Sequence, residues 1–522
     1  MSQLLRRSCV LTLGTLLVTG TMHPLRAQDE RPLEEHAAAA NRQDKQEAIP
    51  PEKSSVTKHD LNLDGKTLHY TATAGTLLIR EGEDDHAYGS IFYVAYTLDG
   101  ADPNARPVTF LYNGGPGSAT LWLHMGSFGP VRVETASPDA TGPAPYHVVP
   151  NQYSLLDKTD LVFIDAPLTG FSRAVGKGTD KDFRGVDQDI KAFDKFVLRY
   201  VTVNNRWNSP KYLFGESYGT PRSAGLADAL ENDGVSVNGV ILLSSILNYG
   251  VMAPGQDEDY IGTLPSYAAI AWYHDKLANK PADLKAFLNE VRTFANGDYA
   301  EALREGDQLT PDRLNAVAAR YAAYTGLSVQ YVKEANLRVN PSRFRKELMR
   351  DEGDILGRYD ARFEGADVDD AGEFPGHDPS DTGISGAFVS AFHNYLINDL
   401  KYETTDTYDV QTPSQVPWDM HHQMPGMRFG GGREGLPYLA GDLADAMRKD
   451  PKLKVFSANG YFDLATPFFI TEYDLAHMML PANLAKNVEF GYYPSGHMVY
   501  LNVDALKMFR HDMDNFYTET GH

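Results

Sequence analysis

A serine flanked by glycines, at the point where an apolar run meets a helical pattern, constrains this chain more than any other sequence feature. Ser217 is the central residue of the segment 215–219, which follows the apolar run 211–214 and precedes a helical pattern over 220–232. Glycines on both sides let the backbone turn sharply, and such a turn lifts the serine hydroxyl above the edge of a sheet. The segment therefore predicts a strand, a tight turn and a helix in direct succession.

Other short apolar runs have the same character. They suit strands that are buried on both faces, as in a parallel sheet, and helical patterns lie among them at 182–203 and 220–232. This alternation predicts an α/β fold with a mostly parallel central sheet and helices on both faces. The runs cover 107–112, 160–165, 211–214, 237–243, 452–457 and 487–492, and antiparallel strands are predicted before them at 61–70, 71–80 and 90–98.

Between about 250 and 425 the alternation stops. Helical patterns there cover 281–295, 311–324 and 342–350, with Asp-rich loops after them. This composition is typical of an inserted, largely helical cap that covers the sheet. A last amphipathic helix is predicted over 502–517.

Two late polar residues meet the needs of a serine nucleophile. Serine requires a base to accept its proton, and the base requires an acid that orients it. Asp463 and His497 each follow a predicted strand, and the order Ser, Asp, His with strand-end placement is that of α/β-hydrolases. A lone Asp or His is usually structural, so it is the combination that predicts a triad of Ser217, Asp463 and His497.

A glycine-rich turn at 113–117 follows the strand that is predicted to end at Tyr112. Such a turn can expose backbone N–H groups toward the nucleophile, where they would stabilise an oxyanion. We predict the N–H groups of Gly115 and Tyr218 as the two donors. A plain turn is the alternative, whereas a phosphate-binding loop is not expected because no Lys-Ser or Lys-Thr follows the glycines.

Together these motifs resemble those of the serine carboxypeptidase family, within the α/β-hydrolase superfamily. The resemblance implies release of the C-terminal amino acid from peptides through an acyl-enzyme intermediate. It extends over about 108–500 and is carried by 113–117, 165–172, 215–219, Asp463 after Gly460, and 496–498, with 128–130 at the family's spacing.

The resemblance also implies that Asn113, the N–H of Gly114 and Glu216 bind the terminal carboxylate of the substrate. Two carboxylates repel each other, so Glu216 would have to be protonated or hydrogen-bonded, which favours work at acidic pH. In this family a second glutamate usually stands where this chain has Ser127. We expect the Ser127 hydroxyl to donate to the substrate instead, and activity to extend further toward neutral pH.

Two other functions compete with peptide cleavage. An esterase or acyltransferase could use the same triad, because fold and triad do not determine the substrate. An inactive hydrolase-fold binding protein is disfavoured by the intact triad. No cofactor is predicted, since neither the acidic stretch 367–381, which contains His377, nor His421–His422 matches a metal-binding spacing.

Charge and the N-terminal residues bear on location. The formal net charge of −22 argues against nucleic acid as a partner, and the family resemblance implies peptides as the substrates. Arg6 and Arg7, the apolar stretch 9–21 and Ala27 predict a signal peptide, and hence export to the periplasm or the medium with no membrane span in the mature chain. Removal of that peptide would also remove Cys9, the only cysteine, which suggests a bacterial-type member of the family.

The predicted organisation has five parts. They are a signal peptide at 1–27, a flexible linker at 28–58, the first part of a hydrolase core at 59–250, the cap insertion at 251–425 and the second part of the core at 426–522.

Overall fold

The computed structural model describes residues 49–426 and 435–521, and one ten-stranded sheet runs through this part of the chain. The predicted signal peptide and most of the predicted linker lie outside the described residues. The strands are β1 (Ser54–Leu63), β2 (Lys66–Glu81), β3 (His86–Leu98), β4 (Val108–Tyr112), β5 (Val131–Val133), β6 (Val148–Pro150), β7 (Asp160–Ile164), β8 (Arg173–Ala174), β9 (Lys211–Glu216), β10 (Gly239–Leu243), β11 (Asp354–Leu356), β12 (Glu364–Ala366), β13 (Lys454–Gly460) and β14 (Val488–Tyr493).

Helices occupy most of the segments between these strands. They are α1 (Leu121–Gly126), α2 (Val186–Val203), α3 (Gly219–Asn232), α4 (Glu258–Tyr273), α5 (Leu284–Phe294), α6 (Ala300–Glu305), α7 (Pro311–Thr325), α8 (Val329–Glu334), α9 (Pro341–Glu347), α10 (Pro379–Thr382), α11 (Ser385–Asn398), α12 (Ala440–Lys449), α13 (Phe468–Ala476), α14 (Ala482–Ala485) and α15 (Val503–Thr520).

The sheet is parallel over most of its width. Its main path runs β1-β2-β3-β7-β4-β9-β10-β13-β14, with β8 paired to β3. Every pairing from β7 to β14 is parallel, whereas β1, β2 and β3 form an antiparallel edge. The short central strands β4, β7, β9 and β10 are buried at every residue, as their apolar runs predict.

Helices cover both faces of this sheet. Residues of α2, α3 and α12 pack with one face in a hydrophobic cluster, and residues of α1, α11 and α15 pack with the other face. The predicted fold class, a mostly parallel sheet between helices, is therefore confirmed.

The N-terminal strands differ from their predictions. β1 begins at Ser54, inside the predicted linker 28–58, because Ser54–Leu63 pairs with β2 along its whole length. The predicted strand over 61–70 is wrong as a single element. Asp64 and Gly65 both have positive φ angles and form the turn that joins β1 to β2.

The predicted helical insertion contains α4 to α11 and one short antiparallel pair, β11 with β12. Helices α4 to α9 share a third hydrophobic cluster with Phe462, Leu464 and Phe468, which follow β13. The described residues belong to one compact unit, so the boundaries of the insertion at 251 and 425 stay predictions. None of the described helices is long and apolar enough to span a membrane.

Candidate active site

Ser217 stands at the turn between β9 and α3. Its φ angle is +58°, in the left-handed region that residues with a side chain seldom adopt. The Ser217 N–H donates to the Leu243 carbonyl of β10 at 3.0 Å, which fixes the turn to the neighbouring strand. A Cβ atom at Gly215 would overlap the Gly219 carbonyl, so the first glycine of the motif allows the helix to start this close to the strand.

The structure brings Asp463 and His497 into direct contact. Each lies shortly after the end of its strand, β13 or β14, and these strands are paired. The distance from His497 Nδ1 to Asp463 Oδ2 is 2.7 Å, and both side chains are buried. With Nδ1 donating to the carboxylate, Nε2 of the imidazole is left to accept a proton.

Thr466 holds the Asp463 carboxylate in place. The Thr466 hydroxyl donates to Asp463 Oδ2 at 2.6 Å, and the N–H groups of Ala465 and Thr466 donate to Oδ1 at 2.7 and 3.0 Å. Burial lowers the pKa of His497, but the charge of Asp463 and its hydrogen bond outweigh this, so the pKa of His497 is raised above its usual value.

The backbone of His497 is held by two hydrogen bonds, one of them to the predicted insertion. Its N–H donates to the Tyr359 carbonyl at 2.6 Å, and its carbonyl accepts from the Ser244 hydroxyl at 2.6 Å. A Cβ atom at Gly496 would overlap the Tyr359 carbonyl and the Asp360 backbone. The glycine before the histidine thus allows the insertion to reach the imidazole.

A cavity of about 270 Å³ opens above Ser217. It collects most residues that the sequence singled out, while Asp463 lies behind His497 and outside the cavity wall. A larger cavity of about 800 Å³, between α4, α13 and β14, includes none of the predicted site residues. The wall of the smaller cavity consists of Asn113, Gly114, Gly115, Pro116, Ser118, Trp122, Glu216, Ser217, Tyr359, Ser380, Asp381, Ile384, Gln411, His497 and Met498.

The glycine-rich turn packs against the start of α3. A Cβ atom at Gly114 would overlap the Tyr218 and Gly219 backbone nitrogens, so only glycine fits there. Within the described part of the chain, the N–H groups of Gly115 and Tyr218 donate to no protein acceptor. Gly115 lies on the cavity wall, whereas Tyr218 does not, so their role as donors to an oxyanion stays a prediction.

Glu216, directly before Ser217, is a buried acid on the cavity wall, with only 3% of its surface exposed. Burial raises its pKa to about 7, and Asp463 adds to this, while His497, Tyr500 and Asn113 oppose it. Its Oε2 atom accepts a hydrogen bond from the Tyr500 hydroxyl at 2.8 Å.

The expectation that Ser127 faces the substrate is wrong. Ser127 is fully buried and is not part of the cavity wall. Its hydroxyl donates to the Leu123 carbonyl of α1 at 2.5 Å, which also accepts from the Ser127 N–H, as is common for a serine at a helix end.

Sequence reasoning missed Thr466, Tyr500 and Tyr359, which contact Asp463, Glu216 and His497 respectively. Thr466 could have been suspected, since a threonine three residues after an aspartate often caps it. Tyr500 and Tyr359 gave no signal, because they meet Glu216 and His497 through tertiary contacts alone.

Among the described residues, no group of three acids, histidines or cysteines is placed to hold a metal ion. Asp367, in the acidic stretch, pairs instead with the buried Lys346 amine at 2.6 Å. His422 lies between two aspartates, with its ring nitrogens 2.6 Å from Asp187 and 3.0 Å from Asp442.

An arginine beneath the site ties its parts together. Arg222, one turn into α3, pairs with Asp189 of α2 at 2.6 Å, and both side chains are almost wholly buried. Another nitrogen of the same guanidinium donates to the Asn113 carbonyl at 2.7 Å. The arginine therefore connects the glycine-rich turn to the helix that follows Ser217.

Comparison with known proteins points to one family. The model of the family described as "Serine carboxypeptidase" matches residues 66–338, more than half of the chain. A search of curated proteins found no match.

Solved structures match this chain at low identity. A prohormone-processing carboxypeptidase from Saccharomyces cerevisiae is 17% identical, with 86% of this chain and 91% of that chain covered and a TM-score of 0.49. A proline iminopeptidase from Mycobacterium smegmatis is 13% identical, with 85% and 98% covered and a TM-score of 0.36.

Replacement of Arg222 tests the ion pair beneath the site. Arg222→Met leaves the Asp189 carboxylate buried without its partner, which should cost about 3–5 kcal/mol in the free energy of unfolding. Urea unfolding of the variant measures this loss. The double variant Arg222→Met/Asp189→Leu is the control and should recover most of the stability, and a double variant no more stable than the single one would contradict this account.

Proposed function

Because the chain belongs to the serine carboxypeptidase family, we propose that it releases the C-terminal amino acid of peptides through an acyl-enzyme formed on Ser217. The observation that carries this proposal is the shared cavity wall, on which Ser217, His497 and the buried acid Glu216 meet. A nucleophile, a base and a proton-bearing acid within one small cavity suit attack on a peptide bond next to a free carboxylate.

In the proposed reaction, His497 Nε2 takes the proton of Ser217 as the hydroxyl oxygen attacks the last peptide carbonyl. Asp463 orients the imidazole and stabilises its charged form. The N–H groups of Gly115 and Tyr218 donate to the oxyanion. The protonated His497 then gives its proton to the departing amine. Water next attacks the acyl group while His497 takes its proton, and the Ser217 oxygen leaves with the proton that His497 returns.

Recognition of the terminal carboxylate falls to Asn113, the Gly114 N–H and Glu216. Glu216 is suited to this when neutral, because a protonated acid donates to a carboxylate whereas an ionised one repels it. A neutral ester substrate offers no carboxylate for the acid Glu216 to bind. The buried acid therefore favours peptides with a free C-terminus over an esterase or acyltransferase function.

Substitution of the triad tests the proposed roles. Ser217→Ala and His497→Ala should each remove nearly all turnover, and Asp463→Asn should lower kcat by about 10⁴-fold, because the imidazole would be held in the wrong tautomer. Peptide digestion followed by mass spectrometry measures turnover and also shows whether cleavage starts at the C-terminus. Labelling of Ser217 by a fluorophosphonate confirms that the wild-type site is reactive, and full kcat in Asp463→Asn would rule out Asp463 as the orienting acid.

The pKa of Glu216 predicts a pH dependence that differs between substrates. Its neutral form predominates below about 7, so kcat/KM for a free-acid peptide, relative to that for its amide, should fall as pH rises through that value, whereas titration of His497 affects both substrates alike. The amide of the same peptide has no terminal carboxylate, and its kcat/KM should not fall there. Rate measurements on both peptides from pH 4 to about 9 test this, since Glu titrates well below that upper limit.

The variant Glu216→Gln provides the control for this profile. Glutamine stays neutral, so the fall near pH 7 should disappear for the free-acid peptide. Identical profiles for acid and amide in the wild type would exclude Glu216 from carboxylate recognition.

We also propose that the protein is exported to the periplasm or the medium, on the basis of the basic and apolar residues within 1–27. N-terminal sequencing of the native protein should begin near Gln28. Activity should survive reducing agents, because the mature chain would contain no cysteine. A cytoplasmic protein that starts at Met1 would contradict export.

A further inference from the structure

We propose that the Tyr500 hydroxyl positions Glu216 for recognition of the substrate's C-terminal carboxylate, in the role that the family pattern gives to a second acid at position 127. This inference rests on the proposed carboxypeptidase function. Tyr500 is not part of the cavity wall, so it acts through Glu216 rather than on the substrate.

The contact itself is short and buried. Tyr500 and Glu216 are each 3% exposed, and the Tyr500 hydroxyl donates to Glu216 Oε2 at 2.8 Å. Tyr500 lies three residues after His497, in a 3₁₀ turn at Val499–Leu501. One short segment thus supplies both the proposed base and the partner of the acid beside the nucleophile.

The end of α1 makes room for the tyrosine ring. A Cβ atom at Gly126 would overlap the Tyr500 ring atoms Cδ2 and Cε2. The hydroxyl of the next residue, Ser127, donates to the Leu123 carbonyl and not to Glu216. The small residues 126–127 therefore leave space for Tyr500, which approaches Glu216 from the segment after His497.

Tyr500 stays a donor over the working pH range. Burial and the neighbouring Glu216 charge raise the pKa of the Tyr500 hydroxyl well above its usual value. The other groups that face Glu216 are His497, Asp463 and the Asn113 side chain. Asn113 is itself fixed, because its Oδ1 atom accepts from the Leu123 N–H at 2.8 Å.

This arrangement favours one oxygen of Glu216 as the site of its proton. In the arrangement that we propose, Oε2 accepts from Tyr500 and the neutral acid carries its proton on Oε1. A proton confined to one oxygen can be offered to a substrate carboxylate in a single, fixed geometry. In a pair of acids, either carboxyl group can carry the shared proton. Here the partner is a tyrosine hydroxyl that stays protonated, so only Glu216 titrates.

Tyr500→Phe tests the role, measured as kcat/KM for a free-acid peptide and for its amide across pH. Loss of the donor removes a contact that favours the ionised form of Glu216, so the fall near pH 7 should move to higher pH. At acidic pH, KM for the free-acid peptide should rise about tenfold, in line with loss of an oriented hydrogen bond to a charged group, while values for the amide stay unchanged. Titration with a fluorophosphonate counts the folded, reactive enzyme in each preparation.

Two control variants remove other buried hydroxyls. Tyr299→Phe deletes a fully buried hydroxyl that donates to the Leu337 carbonyl at 2.7 Å. Ser127→Ala deletes the serine hydroxyl that donates to the Leu123 carbonyl. Both should leave the acid-to-amide ratio and the pH profile unchanged. In the Glu216→Gln background, Tyr500→Phe should no longer shift any pH limb, because the titrating acid is absent.

Gly126→Ala is a second route to the same site if Tyr500→Phe does not fold. The added methyl group displaces the tyrosine ring and keeps its hydroxyl, and the acid-to-amide ratio should fall in the same direction. An equal change for acid and amide, or an unmoved pH limb, would show that Tyr500 is only structural. A wild-type enzyme that does not distinguish acid from amide would instead overturn the proposed function itself.

Discussion

The buried ion pair between Arg222 and Asp189 is the interaction on which the candidate site depends. Isolated charges are costly to bury, and this pair lies almost wholly out of solvent. The guanidinium also lies over the Phe193 ring, 4.2 Å from its centroid, and donates to the Asn113 carbonyl. Two helices and the glycine-rich turn therefore have one common point of attachment, and the turn can hold its N–H groups close to the start of α3.

The register of the parallel strands then decides what meets above the sheet. Tyr112 pairs with Gly215, Glu216 pairs with Leu243, and Gly460 pairs with Tyr493, so the strands that carry the site end close to one level. Because parallel strands place all their carboxyl ends at one edge, the segments after them converge without further guidance. Ser217, Asp463 and His497 come from three such segments, separated in sequence by more than two hundred residues between the first and the second.

That convergence explains how much of the protein its sequence predicts. The buried runs and the turn 215–219 have local signatures, so the fold class and the central strands follow from composition and spacing. The antiparallel edge was harder to predict from the sequence. The alternating pattern continues without a break through Asp64 and Gly65, where the structure has a turn. The site divides in the same way. Residues at strand ends were predicted as candidates, whereas Tyr500 joins Glu216 across 284 positions and has no local signature.

The hydrogen bond from the His497 N–H to the Tyr359 carbonyl has a consequence for protein engineering. Tyr359 belongs to the predicted insertion, and the contact uses only its backbone, so its side chain is free to vary without loss of this bond. Exchange of the insertion for one from another hydrolase would alter the cavity wall. It would also remove the carbonyl that accepts the hydrogen bond from the His497 backbone N–H. A chimaera designed for a new substrate must therefore keep the main-chain path at 359–360, even where it changes every neighbouring side chain.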